Sequence, residues 1–91
     1  MISVELILEY IGCNELSDLI LPDGVESFEF IRYVDANLQE REVIFTRNKQ
    51  TILRIKTMSR QIGFRKYVDQ YFVQHDDGKW EKAAATQTVW L

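Results

Sequence analysis

F-R-K-Y-V-D-Q-Y-F-V-Q, residues 64–74, decides between two folds for this chain. Phe64, Val68, Tyr71, Phe72 and His75 recur at the spacing of one helix face. Against that, Tyr67-Val68 and Tyr71-Phe72-Val73 are β-branched and aromatic, which favours a pleated strand, and Gly63 weakens a helix start. A helix here would make the order α-β-β-β-α-β. A strand would make it a helix followed by a five-strand meander, and strand is the reading adopted.

Downstream, His75-Asp76-Asp77-Gly78-Lys79 reads as a turn. Asp-Gly beside strand-forming residues is a strong hairpin signal, so residues 80–90 should return as the last strand. Ala83-Ala84-Ala85 argues for helix there. Trp80 and Trp90, ten residues apart, share a face if that strand is continuous. Upstream, residues 51–57 form a strand in which Leu53 and Ile55 point one way and Arg54 and Lys56 the other. Residues 58–63 read as a connection, with Ser59 able to cap a helical turn. Before that come a turn at 47–50, a strand at 41–46, a polar turn at 35–39 and a strand at 25–34. Pro22-Asp23-Gly24 is a turn: proline presets φ and glycine accepts positive φ.

The start of the chain reads as a helix over residues 3–11. Ser3 can cap it, Ile2 and Ile7 occupy the positions of a hydrophobic staple, and Val4, Ile7, Leu8 and Ile11 form an apolar stripe. Glu5 and Glu9 lie on the other side, and Gly12 is a stop. Asn14 can cap a further short helical turn through Leu16, Leu19 and Ile20. The expected architecture is therefore α+β: one domain, 1–91, with an N-terminal helix packed on a four- to five-stranded antiparallel meander sheet. A chain of 91 residues buries only about 60–65% of its unfolded surface, so its core is small.

Charge is distributed unevenly. Residues 1–42 hold ten acids against Arg32 and Arg41; residues 43–68 hold seven cations and no acid; residues 69–91 hold four acids and two lysines, for a net charge of −3. If strands 51–57 and 64–74 pair, alternation gathers Arg54, Lys56, Arg65, Tyr67 and Tyr71 on one face, opposite Phe64, Val68 and Phe72. Tyrosine and arginine are enriched where protein partners dock. A charge-separated chain also favours self-association or capture of a charged partner by steering, so the expected partner is either another protein or a second copy of the chain in a homodimer. The same five residues could neutralise phosphates and stack single-stranded bases. A pI of about 5.1 counts against that alternative, because a nucleic-acid footprint normally goes with a basic domain. A solvated face matched by the chain's own acids is the bland alternative.

Other chemistry finds little support. Cys13 is the only cysteine, so no intramolecular disulfide can form and a reducing, cytoplasmic setting is expected. Its neighbours do not lower a thiol pKa, so it reads as a small buried hydrophobe. His75, Asp76 and Asp77 are adjacent in a turn and cannot easily converge on one ion. There is no Cys/His zinc spacing, no glycine-rich phosphate loop and no nucleophile motif; no cofactor is expected. No leader peptide or membrane span is read in the sequence. The expectation is a non-enzymatic binding or adaptor protein, of a size that suits an inhibitor, immunity-type or accessory role.

Overall fold

The computed structural model describes residues 4–13, 15–75 and 77–90, and only the backbone of residues 4 and 84–90. The order is α1 (Val4–Gly12), a 3-10 turn (Leu16–Asp18), β1 (Val25–Asp35), β2 (Leu38–Arg47), β3 (Gln50–Gly63), β4 (Lys66–Gln74) and β5 (Trp80–Trp90). The strands form one antiparallel sheet in sequence order, β1-β2-β3-β4-β5. The α+β meander expected from the sequence is thus present, and residues 66–74 are strand. The caps expected at Ser3 and Asn14, the staple residue Ile2, Asp76 and the last residue lie outside the described residues.

Tight turns hold the meander in register. Pro22-Asp23-Gly24 leads into β1, with the Val25 amide donating to the Pro22 carbonyl (3.1 Å) and Gly24 at φ +79°. Ala36-Asn37 joins β1 to β2, and the Asp35 carboxylate accepts from the Asn37 amide at 2.7 Å. Asn48 and Lys49, both at positive φ (52° and 65°), join β2 to β3 in the backbone geometry that suits a two-residue hairpin. Phe64-Arg65 joins β3 to β4, with Gly63 facing Lys66. In the last hairpin, the His75 amide donates to the Lys79 carbonyl and the Gly78 amide to the His75 carbonyl, both at 2.9 Å.

Three expectations about boundaries need correction. The turn expected over residues 35–39 is only Ala36-Asn37, because Leu38 and Gln39 already pair in the β1–β2 ladder. Residues 58–63, read as a connection, continue β3, pairing first with β2 (Leu38 to Arg60) and then with β4 (Ser59 to Asp69). Their ladder bonds outweigh the weak turn signal of Ser59. Strand four begins at Lys66 rather than at residue 64, because Arg65 has φ +56°, a conformation that no regular strand contains.

Alternation sends Val43, Phe45, Leu53, Ile55, Thr57, Tyr71 and Val73 to one face, where all are buried. Helix α1 covers that face with Leu6, Tyr10 and Ile11. The helix is rotated from the stripe read in the sequence: Leu8 is 62% exposed and Tyr10 is inside. Tyr10 meets Phe45 edge to face, ring centres 6.1 Å apart, a favoured aromatic geometry. This contact rather than the Leu8 side chain sets the helix orientation. Leu16, Leu19 and Leu21 pack around the margin of the same cluster.

Candidate functional site: the open face of the sheet

Strand period decides which side chains emerge on the side away from α1. In β1 they are Glu26, Phe28, Phe30 and Arg32; in β2 Ile44, Glu42, Glu40 and Leu38; in β3 Arg54, Lys56, Met58 and Arg60; in β4 Phe72, Gln70, Val68 and Lys66; in β5 Trp80 and Lys82. The face mixes apolar and charged groups, and Phe28 and Phe30 are 47% and 57% exposed. Among the described residues no helix packs on it. An antiparallel sheet tolerates one uncovered face when that face is polar; this one is only half so.

The charges are arranged as a strip running across the sheet. Arg32 of β1 donates from Nη2 to Glu40 of β2. The other Glu40 oxygen lies 3.1 Å from Lys56 Nζ of β3. Lys56 Nζ in turn lies 4.2 Å from the centre of the Trp80 ring of β5, within cation–π range. Beside this strip, Arg54 donates to Glu42 through Nε at 2.8 Å and through Nη2, and its guanidinium lies 5.9 Å from the same Trp80 ring. The Glu40 side chain is only 12% exposed. Partial burial opposes its charged form, but hydrogen bonds from Lys56 and Arg32, with their positive charge, outweigh it and hold the carboxyl below its ordinary pKa.

The five residues singled out in the sequence do not share this face. Arg54 and Lys56 lie on it. Tyr67 and Tyr71 lie on the other, because the register sets Thr57 against Tyr71 and Gln61 against Tyr67, while Lys56 faces Phe72. Arg65 belongs to neither face; it sits in the β3–β4 turn, its guanidinium 5.3 Å from the Phe64 ring. The difference has one physical source. Side-chain parity along β3 and along β4 is legible in each strand, but the pairing that relates them is not, and a one-residue difference in register exchanges the faces. Sequence reasoning missed Phe28, Phe30, Glu40, Glu42 and Phe72 as members of the open face. Alternation of polar and apolar residues is broken at Phe30-Ile31 and Val43-Ile44-Phe45, so the sequence did not mark the open face in β1 and β2.

On the helix side, the sheet turns polar beyond the reach of α1. Tyr71 is buried beside the Tyr10 and Thr57 side chains, and Ser59 donates to Asp69 at 2.6 Å. Burial first, then the Asp69 charge, push the Tyr71 hydroxyl up to about 12. Burial also raises the Tyr10 hydroxyl, against the Thr57 hydroxyl and the Arg41 charge. Cys13 donates from Sγ to the Tyr10 carbonyl at 3.1 Å, and burial raises its pKa, which disfavours the thiolate. A shallow depression lies between the end of α1 and the 3-10 turn, lined by Glu9, Gly12, Cys13, Asp18, Leu19 and Ile20.

His75 pairs with Glu81 across the last hairpin. No group of three or more His, Cys, Asp or Glu side chains is arranged to hold a metal ion among the described residues. Within the same residues, no helix is long and apolar enough to cross a membrane. Compared with known proteins, the chain matches no family model, no curated protein and no solved structure.

Proposed function

We propose that this chain is a small, non-enzymatic, cytoplasmic binding protein that docks a protein partner on the open face of its sheet. The observation that carries the reading is the pairing of one helix-covered face with one uncovered face that still bears Phe28, Phe30, Met58, Phe72 and Trp80 among its charges. Phe28 and Phe30, two residues apart on one strand, are exposed together, and exposed apolar patches on a small chain mark places of contact. Aromatic and arginine side chains are the usual anchors of such contacts.

Six cations (Arg32, Arg54, Lys56, Arg60, Lys66, Lys82) share the face with three acids (Glu26, Glu40, Glu42) among the described residues. The chain as a whole is net negative. The fitting partner therefore presents apolar side chains rimmed by acids, which the face attracts by steering. An inhibitor, immunity-type or accessory role suits a domain of this size and chemistry.

The excess of cations beside aromatic rings also favours a second reading, single-stranded nucleic acid. Two observations weigh against it. Lys56 already covers the Trp80 ring that a base would stack on, and Glu40 and Glu42 stand in the middle of the path a phosphate backbone would take.

The test compares affinity capture by the intact chain, by Arg60→Glu/Lys82→Glu, and by Leu8→Ser on the far side. All three should fold alike, since each change is at an exposed position. The reading expects a discrete protein captured by the intact chain and by Leu8→Ser, and lost with the double reversal. Capture indifferent to the double reversal defeats it. Binding of a labelled oligonucleotide that weakens steeply with salt would transfer the face to the second reading.

A further inference from the structure

The free edge of β1 is distinct from the open face and carries its own pattern. β1 is bonded to β2 on one side only, at the margin of the sheet. It is 11 residues long and exposed along nearly its whole length. Natural edges are commonly blunted by proline, lysine, an inward-pointing charge, a bulge or a covering element. β1 has neither proline nor lysine, its one irregularity of pairing falls at its far end, between Tyr33 and Asp35, and its one inward-pointing charge near the centre, Glu29, has Arg41 beside it.

The strand is also complementary to itself. Its sequence from residue 26 to 32 is E-S-F-E-F-I-R. Laid antiparallel against a second copy with Glu29 at the centre, Glu26 faces Arg32 of the other copy and Phe28 faces Phe30. By symmetry each pair occurs twice. All four side chains lie on the open face. Opposite-charge and aromatic cross-strand pairs both stabilise a sheet. Moving the centre by one residue in either direction sets Glu26 against Val34 or Phe30, which loses both charge pairs and leaves a single aromatic pair.

The central contact, Glu29 against Glu29, would by itself repel. It lies on the helix side, where Arg41 of the neighbouring strand is 3.9 Å from the Glu29 carboxylate. Arg41 Nε is buried there without a hydrogen-bond partner. The two carboxylates would be bracketed by two guanidiniums, which offsets their repulsion.

From this complementarity we propose that two copies of the chain pair through β1, antiparallel about a two-fold axis that passes between the two Glu29 residues, perpendicular to the sheet. The product is a continuous ten-stranded sheet, built from two five-stranded halves. An axis in that direction keeps both helices on one side and joins the two open faces on the other. The interface is isologous and closes, so assembly stops at the dimer.

The experiment is light scattering of the full chain over a concentration series, with charge reversals. The intact chain forms a dimer. Glu26→Arg and Arg32→Glu each weaken dimerisation at least tenfold, because each sets like charges opposite one another twice. An equimolar mixture of the two variants recovers the dimer. In that mixture the arginine introduced by the first variant faces the glutamate introduced by the second, and the Arg32 that remains faces the Glu26 that remains. A second measurement does not depend on Arg32→Glu folding well. In a Cys13→Ser background, Glu29→Cys forms an intermolecular disulfide under mild oxidation, whereas Phe30→Cys, which faces Phe28, does not. An intact chain that stays monomeric at high concentration overturns the proposal. So does a dimer that both reversals leave unchanged, or a cross-link at position 30 in preference to 29.

Discussion

Glu40 accepts from Arg32 on one side and meets Lys56 on the other, and Lys56 lies over Trp80. These contacts fix the position of the charges on the open face, and removing their central carboxylate releases both cations. Glu40→Gln should lower stability by about 1 kcal/mol at pH 7, as expected for a partly exposed ion pair, measured by urea denaturation. The pH dependence follows from the depressed Glu40 pKa. A carboxylate with a lowered folded pKa contributes stability above its unfolded value, ordinarily 4.5, and loses it as pH falls through the folded value. Acid titration of the intact chain should therefore lose stability below about pH 4.5, and Glu40→Gln should lose correspondingly less over the same interval. Equal slopes for the two proteins would show that Glu40 is not held by its neighbours.

Among the elements, the hairpins carry the clearest cost. Asparagine is among the residues that enter the left-handed region readily, as at Asn48, but lysine is not, and Lys49 stands there at φ +65°. Glycine at the second position of such a turn is the preferred residue. Lys49→Gly should thus raise stability by about 0.5–1 kcal/mol, after the extra flexibility that glycine gives the unfolded chain is subtracted. The readout is a higher thermal midpoint; a lower one would mean that Lys49 makes a contact that offsets its strain. Arg65, also at positive φ, illustrates the limit of reading elements from propensity. Its neighbours favour strand, yet the chain must reverse between Gly63 and Lys66, and the reversal falls on Phe64-Arg65. Lys56 shows the opposite case: its parity is legible in the sequence, because β3 alternates without interruption through the buried Leu53, Ile55 and Thr57.

At the scale of the molecule, the core is small and off-centre. The chain extends over 42 Å in its longest direction, while α1 spans only nine residues, about 13 Å at 1.5 Å per residue. Among the described residues, Val43, Phe45 and Ile55 are the largest side chains fully removed from solvent, and they belong to the cluster that Leu6, Tyr10 and Ile11 of the helix complete. Phe45→Ala should cost roughly 3–5 kcal/mol, a large part of the roughly 5–15 kcal/mol that holds a typical domain. Loss of near-ultraviolet circular dichroism and of a cooperative melt at about 37 °C is the expected result; a variant that still melts cooperatively above that temperature would place the main store of stability elsewhere. The helix lies on one face, so among the described residues the other face and the free edge of β1 carry no covering element.

Local pattern sufficed for the helix, for the number and order of the five strands and for most turns, though not for the full length of β3, because helix period, strand propensity and the demands of proline and glycine at reversals are properties of neighbouring residues. It also sufficed to place Arg54 and Lys56 together, two residues apart on one strand. What joined them to Glu40 and Trp80, and separated them from Tyr67 and Tyr71, was strand register. Register is set by how long ladders of hydrogen bonds close against one another and by which side chains the helix buries, so it exists only once the strands have met.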